Sequence, residues 1–309
     1  MTKAIIQQET PYAQLLEPFL SAQDVGKRTL EAYKANIERF FFFLVQNNVD
    51  TRDLSKKTII EYKNTLINEG KKPATINAYL TAVKRLFEWL ESEGAIKKNF
   101  AKYVKSVKTG RDHKRLPLLP IQWEMLRESL SSDDLTTRRD LMIIALGYGA
   151  GLRTVEITRV QVEDLQFIHN HWVLMIEGKG SRAGEKKPVV IDNLMPVLRS
   201  YIQARGINSG LLFTSFSNNN SKKQLTTAGL RHIIKKRFNS VGIDNPLITA
   251  HSLRHGFAVA MLEAGASVEE IQVAMRHDSI ESTMIYLRAR DMYKNPASNR
   301  IDIFGAKSA

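Results

Sequence analysis

Apolar side chains recur every three or four residues through the first third of the chain. Residues 27–47 carry them at Leu30, Tyr33, Ile37, Phe40, Phe41 and Leu44, and residues 76–94 carry them at Ile76, Leu80, Val83, Leu86, Phe87 and Leu90. This spacing places the apolar side chains on one face of an α-helix. With similar patterns over 10–21 and 56–69, it predicts four helices that form a small all-α domain.

Beyond residue 120 the pattern predicts more helices and one β-hairpin. The predicted helices cover 121–131, 136–148, a short segment from about Thr154, 193–204, 226–239, 252–264, 267–275 and 280–292. Residues 171–176 and 188–191 are short apolar runs joined by a basic turn that contains glycine, which favours two strands. We therefore predict a mainly α protein with a small β-hairpin or sheet, of the α+β class.

A segment without periodicity separates the two regions. Residues 104–120 combine a basic cluster with glycine and two prolines, which is typical of a linker. We predict a helical domain over 1–105, a basic linker over 106–118 and a second domain over 119–309 that ends in a short tail. A basic linker between two basic domains would let them close around a DNA duplex.

Charge and cysteine content narrow the function. The 309 residues include 45 Lys and Arg against 32 Asp and Glu, a net charge of +13. This surplus favours a polyanionic partner, nucleic acid first, over the alternative of a generic basic protein. The absence of cysteine excludes disulfides, thiolate zinc sites and cysteine nucleophiles. No apolar run has the length of a signal peptide or a membrane span, so we expect a cytoplasmic, nucleoid-associated protein without a membrane partner.

Several basic side chains lie off the apolar stripes and are candidate DNA contacts. Thr75 is predicted to cap the fourth helix and to leave its N-terminal amides facing outward, where a phosphate would dock. The alternative is that these cations are solvated faces without a partner. The candidates, including two in the linker, are Lys27, Arg28, Lys71, Lys72, Lys84, Arg85, Lys114 and Arg115.

Candidates for chemistry lie in the second domain. Cleavage of a phosphodiester without a metal requires a nucleophile, positive donors for the transition state and an acid for the leaving oxygen. The sequence has neither a phosphate-binding Gly-Lys loop of the Walker type nor a carboxylate cluster with metal-ligand spacing, so we predict no metal and no cofactor. Arg153 precedes Glu156 by three residues, and His251 lies one helical turn before Arg254. Each pair alone is more often structural, and a single helical tyrosine is usually core.

The motifs taken in order resemble a known family. They are Gly-Leu-Arg153-Thr-Val-Glu156, Gly178-Lys179-Gly180, His251-Ser-Leu-Arg254-His-Gly-Phe-Ala, Met275-Arg276-His277 and Ser282-Thr-Met-Ile-Tyr286. They resemble the motifs of tyrosine recombinases of the Xer and phage-integrase type, and the likeness extends over nearly the whole chain. The resemblance implies a four-helix core-binding domain followed by a catalytic domain that recombines DNA at specific sites.

The resemblance also implies a role for each matching residue. Tyr286 would be the nucleophile that forms a 3′-phosphotyrosyl bond, and Lys179 the general acid for the 5′-oxygen. Arg153 and Arg254 would clamp the scissile phosphate. The remaining roles fall to His251 as base or orienting group, His277 as a further donor to the phosphate, and Glu156 as a support that orders the site.

Two features depart from the family pattern. Arg276 stands where the family usually has glycine, in Leu-Gly-His, so either the helix end is altered or a phosphate contact is added. Arg182, Lys186 and Lys187 compete with Lys179 on the hairpin, where the Gly-Lys-Gly match favours Lys179. Tyr293 lacks the preceding Ser-Thr motif and is predicted to pack in the tail.

The resemblance further implies partners. The substrate would be double-stranded DNA with paired inverted half-sites, bound by a homotetramer, or by a heterotetramer with a paralogue, on two DNA sites. The tail would dock on a neighbouring protomer, with packing on its own domain as the alternative. Integration or excision of a mobile element and resolution of DNA dimers both stay open. Two other functions compete: a catalytically idle, architectural DNA-binding protein, and a topoisomerase-like enzyme that nicks and religates.

Overall fold

The chain folds as two compact units, which the computed structural model divides into Met1–Asp112 and His113–Ala309. The structure describes residues 13–50, 54–108, 115–178, 185–216 and 223–276. Within these residues no helix is long and apolar enough to cross a membrane.

The first unit is a helical domain, as predicted. Its helices are α1 (Ala13–Ser21), α2 (Lys27–Gln46), α3 (Lys56–Asn68) and α4 (Pro73–Ser92), followed by a 3-10 turn at Ala101–Tyr103. The apolar stripes of α2 and α4 face each other and form the core together with α3. Phe40 of α2 packs edge-on against Tyr62 of α3, with ring centroids 5.0 Å apart.

Helix α4 begins three residues before the predicted start. Lys72 is its N-cap and Pro73 its first residue. Proline suits this position because its fixed φ matches the helix and its missing N–H needs no partner. The prediction that Thr75 caps the helix is therefore wrong, since its N–H already bonds the Lys72 carbonyl at 2.9 Å inside the first turn.

In the described part of the second unit, one buried helix is surrounded by six others and a small sheet. The helices are α5 (Pro120–Ser129), α6 (Leu135–Gly149), α7 (Thr154–Ile157), α8 (Met195–Arg205), α9 (Thr227–Ser240), α10 (Ala250–Glu263) and α11 (Val268–Met275). Helix α6 is buried on nearly all sides and lies at the centre of the core. The predicted helix over 280–292 lies outside the described residues.

The sheet has three antiparallel strands in the order β1 (Leu165–Ile168), β2 (His171–Glu177) and β3 (Lys186–Val190). Strands β2 and β3 form the predicted hairpin. Strand β1 was missed, because it has only four residues and its turn contains no glycine or proline. Instead, His169 and Asn170 supply the two positive φ angles that a two-residue hairpin turn needs.

A buried ion cluster fixes α9 against α6. Asp140 accepts hydrogen bonds at 2.7 Å from Arg139 on its own helix and from Arg237 on α9. Asp140 and Arg139 are buried, and a buried carboxylate is tolerated where cations and hydrogen bonds surround it. This contact sets the position of the basic face of α9.

We predict that Gly256→Ala destabilises the protein. A Cβ at Gly256 would lie 2.6 Å from the Leu118 carbonyl oxygen and 2.7 Å from the Tyr148 ring, so backbone has to move. We expect the free energy of unfolding to fall by about 1–3 kcal/mol, the usual cost of overpacking. Urea denaturation followed by circular dichroism measures the change. Gly229→Ala on α9 is the control, because its Cβ has room and alanine favours the helix. Equal stability of the two variants would contradict this packing.

Candidate active site

A tight turn after α6 positions Arg153. Gly151 adopts a left-handed conformation with φ +62°, and a Cβ there would lie 2.5 Å from the Phe257 ring. Only glycine satisfies both the angle and the space. The turn places Arg153 as the N-cap of the short helix α7, with its side chain beside Glu156.

Glu156 holds Arg153 at two points. Its Oε2 accepts the Arg153 backbone N–H at 2.7 Å and its Oε1 accepts Nη1 at 2.8 Å. A second cation, Arg276, donates from Nη2 to Oε2 at 2.9 Å. Burial raises the pKa of Glu156. The charge of Arg276, and the hydrogen bonds and charge of Arg153, lower it by more, so that the net pKa lies below the ordinary 4.5. The carboxylate is therefore ionised at neutral pH.

Arg254 joins the same cluster from α10. Its side chain is buried, with Nη1 donating to the Gly151 carbonyl and Nη2 to the Met275 carbonyl at the end of α11. Arg153 reaches the same helix end, since its Nη2 donates to the Arg276 carbonyl at 3.3 Å. Two guanidinium groups that are far apart in sequence thus meet at the α6–α7 turn and the end of α11.

His251 lies on the exposed side of this cluster. It is the second residue of α10, and its ring packs edge-on against His255 with centroids 4.6 Å apart. Next to it is a cavity of about 410 Å³, which Thr154 of α7 also lines. The structure therefore brings Arg153, Glu156, His251 and Arg254 into one region.

The cavity beside His251 is basic. Arg115, Arg231 and Lys235 line it, and none of the described residues that line it is acidic. Arg115 was among the predicted DNA contacts, whereas Arg231 and Lys235 were missed. The sequence does place Arg231 and Lys235 four residues apart, so that they share one face of a helix. Without the cavity, however, such a basic face could not be distinguished from one that is merely solvated. Cations around a concave surface suit a phosphate.

Other predicted residues are distributed differently. Lys179, His277, Tyr286 and Lys114 lie outside the described residues, as do Arg182, Tyr293 and the tail over 299–309. In the first unit, Lys27 and Arg28 open α2, Lys72 caps α4, and Lys84 and Arg85 lie on α4. Two cations have acidic neighbours: Lys71 lies 3.8 Å from Glu69, and Arg85 lies 2.8 Å from Glu88.

The competing basic residues of the hairpin take different positions. Lys186, at the start of β3, pairs with Asp164, which is buried. Lys187 is the next residue of β3 and is exposed. Lys186 is thus engaged within the protein. Over the described ranges, no group of three His, Asp or Glu side chains has the arrangement of a metal site.

Comparisons with known proteins bear on the family of the chain. Residues 118–292 match the phage integrase family, and residues 14–95 match the N-terminal SAM-like domain of phage integrases. The tyrosine recombinase XerC of Thermodesulfovibrio yellowstonii is 30% identical over 266 residues, covering 84% of this chain and 85% of that protein. The tyrosine recombinase XerD of Listeria monocytogenes is 26% identical over 299 residues, covering 91% and 97%.

Two solved structures share the fold. A post-cleavage complex of the XerH site-specific recombinase with a palindromic difH substrate superposes with a TM-score of 0.75 at 19% identity, over 94% of this chain and 85% of that chain. A lambda integrase dimer bound to a COC′ core site gives a TM-score of 0.68 at 18% identity, over 88% and 94%.

We predict that Glu156→Gln destabilises the protein at neutral pH. The substitution leaves two guanidinium groups without their buried counter-charge, a loss of about 3 kcal/mol in the free energy of unfolding. Because the folded-state pKa of Glu156 is depressed, its contribution is present above the unfolded-state pKa and is lost as pH falls through the folded-state value, below 4.5. Denaturation at neutral and acidic pH should show the difference between wild type and variant shrinking in acid.

Glu177→Gln is the matched control. Glu177 pairs with Arg159 at 3.6 Å on a partly exposed surface, so its loss should cost less than about 1 kcal/mol. If the two variants were equally stable, the proposed contribution of the Glu156 cluster to the free energy of unfolding would be refuted.

Proposed function

The chain belongs to the phage integrase family, and from that premise we propose that it cuts and rejoins DNA at specific sites through a covalent bond between Tyr286 and the 3′-phosphate. The observation that carries the proposal is the convergence of Arg153, Arg254 and His251 beside a basic cavity. The convergence supplies the positive donors that metal-free cleavage of a phosphodiester needs.

The reaction is a transesterification in two steps. The Tyr286 oxygen attacks phosphorus and forms the phosphotyrosyl bond, while the bond from phosphorus to the 5′-oxygen breaks. His251 accepts the phenolic proton, and Lys179 donates a proton to the departing 5′-oxygen. In the second step the 5′-hydroxyl of another strand attacks and tyrosine leaves, so the number of phosphodiester bonds is conserved. The energy of the cleaved bond is kept in the intermediate, and no nucleotide cofactor enters the scheme.

The arginines stabilise the transition state. A guanidinium has five N–H donors, and the described contacts of Arg153 use two of them, one to Glu156 and one to the Arg276 carbonyl. Its remaining donors serve the non-bridging oxygens, where negative charge increases as Tyr286 attacks. Arg254 approaches from α10 as the second half of the clamp, and His277 adds a further donor. Glu156 does not touch the phosphate and acts by holding Arg153 in place.

Neighbouring phosphates of the substrate occupy the basic cavity. Arg115, Arg231 and Lys235 line it next to Thr154 and His251, so DNA that presents its scissile phosphate to the clamp passes over it. In the proposed division of labour, residues 119–309 hold and cleave the strand, while residues 1–105 and the basic linker over 106–118 add binding energy through Lys27, Arg28, Lys71, Lys72, Lys84, Arg85 and Lys114.

The active assembly is a tetramer on two DNA duplexes. Each duplex carries inverted half-sites, because a pair of identical protomers related by a two-fold axis binds two identical half-sites. The tetramer contains four copies of this chain, or two copies of it and two of a paralogue. The tail over 299–309 docks on the neighbouring protomer. The products are integrated or excised mobile elements, or resolved DNA dimers, and the reaction takes place on the nucleoid in the cytoplasm.

We predict that Tyr286→Phe abolishes a covalent protein–DNA adduct. Purified protein is incubated with sheared genomic DNA or a pool of nicked suicide duplexes, denatured, and analysed for a 3′-linked adduct. Phenylalanine keeps the aromatic ring but lacks the attacking oxygen, so the wild type should form the adduct and the variant should not. Sequencing the trapped DNA gives the target site.

Tyr293→Phe is the matched control, since it removes a phenol seven residues further along the chain and should leave the adduct intact. An adduct that survives in Tyr286→Phe would show that Tyr286 is not the nucleophile. No adduct with the wild type would favour an architectural DNA-binding role. If the wild type forms the adduct and relaxes supercoiled DNA but exchanges no strands between sites, the result would favour the nicking and religating enzyme.

We also predict that Arg231→Ala and Lys235→Ala weaken DNA binding through fewer phosphate contacts. Each lost contact should reduce the slope of log affinity against log salt concentration by about 0.9. Fluorescence anisotropy with a labelled duplex over a series of salt concentrations measures it. Arg127→Ala on α5 removes an exposed cation paired with Glu124 and should leave the slope unchanged. Unchanged slopes in all three variants would contradict the proposal that DNA phosphates occupy this cavity.

A further inference from the structure

Arg276 occupies a backbone conformation that does not favour arginine. It is the C-cap of α11 with φ 53° and ψ 49°, in the left-handed region where helices usually end on glycine. A residue with a Cβ is strained there. The contacts of the Arg276 side chain must therefore offset the strain, and two of its acceptors, Glu156 and the Gly151 carbonyl, lie in the candidate active site.

The Arg276 side chain is buried, with 6% of its surface exposed, so it does not reach outward to DNA. Its Nη2 donates to Glu156 Oε2 at 2.9 Å and to the Gly151 carbonyl at 3.4 Å, while Nη1 donates to the Ala274 carbonyl at 3.0 Å. Its Nε finds no hydrogen-bond acceptor among the described residues. Of the two readings of the sequence, an altered helix end or an added phosphate contact, the first describes this geometry.

Both partners of Nη2 are shared with the phosphate clamp. Glu156 is the carboxylate that holds Arg153, and the Gly151 carbonyl is an acceptor for Arg254. The Arg276 main-chain carbonyl in turn accepts a hydrogen bond from Arg153. Arg276 is thus connected to each clamp arginine through one intermediate acceptor, and to Arg153 directly as well.

We propose that Arg276 is a positioning residue that orients Arg153 through Glu156 and Arg254 through the Gly151 carbonyl. This inference rests on the proposed function. With glycine at this position Glu156 would keep only Arg153 as a partner, and the carboxylate would be less firmly fixed. The extra buried cation also raises the positive charge behind the phosphate, which favours the transition state over the free enzyme.

Other charged groups near Glu156 are paired among themselves. A small cavity of about 130 Å³ next to Glu156 is lined by Arg159 and Glu177, which lie 3.6 Å apart, and by Lys186 and Asp164, which form an ion pair. The charge state of Glu156 therefore depends mainly on Arg153 and Arg276. Removing Arg276 allows burial to raise the pKa of Glu156, so that the carboxyl becomes protonated at a higher pH than in the wild type.

The test is the rate of single-turnover cleavage of a nicked suicide duplex that carries the site recovered from wild-type adducts. Arg276→Gly should fold, because glycine suits the left-handed backbone. We expect its cleavage rate to fall by roughly tenfold, comparable with the loss of groups that orient metal ligands. The wild-type to variant rate ratio should grow as the pH falls, because Glu156 gains a proton at a higher pH in the variant than in the wild type. Titrations shared by both proteins cancel in this ratio.

Three variants make the result specific. Arg276→Lys keeps the charge but loses the planar fork, so it should show a smaller rate loss and a ratio that does not change with pH. Glu156→Gln combined with Arg276→Gly should be no slower than the slower single variant, because both act on Arg153 through the same contact. Asn48→Gly makes the same backbone change at a left-handed, exposed position of the first unit and should cleave as the wild type does.

The outcomes separate the two proposals. If wild-type protein forms no adduct, the proposed function fails and this inference fails with it. If the wild type cleaves, and Arg276→Gly either cleaves equally fast or shows a loss that is constant with pH and multiplies with that of Glu156→Gln, then the proposed function stands. In that case Arg276 only ends helix α11 and does not position the clamp arginines, and the inference is overturned.

Discussion

The arrangement of the candidate active site depends on the buried negative charge of Glu156. Three guanidinium groups, those of Arg153, Arg254 and Arg276, lie within a few ångströms of the same turn, and cations cannot be buried together without compensation. Glu156 supplies the compensating charge, and main-chain carbonyls accept the remaining hydrogen bonds. In the described contacts of these three groups Glu156 is the carboxylate, so the positive charge of the cluster suits an anion from outside, as the proposed function requires. A phosphodiester is such an anion.

The remainder of the unit fixes the elements that deliver these groups. Helix α6 is buried on nearly all sides, and Gly147 lets α10 approach it so closely that a Cβ there would lie 2.9 Å from Leu253. This approach sets the position of Arg254, one residue further along α10. Asp140 holds α9 through Arg237, and α9 carries two of the three cations of the cavity, Arg231 and Lys235. The apolar core and one internal ion cluster thus position a site that consists almost entirely of polar groups.

Much of the fold could be predicted from local pattern. The stripes of α2 and α4 and the β2–β3 hairpin were visible in the chain, because each depends on residues close to one another in sequence. The exceptions have local causes too. Helix α4 begins at Pro73, three residues before its predicted start. His169 and Asn170 form a turn that usually requires glycine, so strand β1 was not predicted.

The site divides along the same line between local and long-range interactions. Sequence alone determined which residues were candidates, since Arg153, Glu156, His251 and Arg254 lie in short motifs whose order matched a family, and it identified Arg276 as a departure. It could not determine what Arg276 contacts, because its partners Glu156 and Gly151 are 120 and 125 residues away. Nor could it join Arg115 to Arg231 and Lys235 around one cavity. Contacts between distant segments exist only once the core has closed, and so the tertiary structure alone decided them.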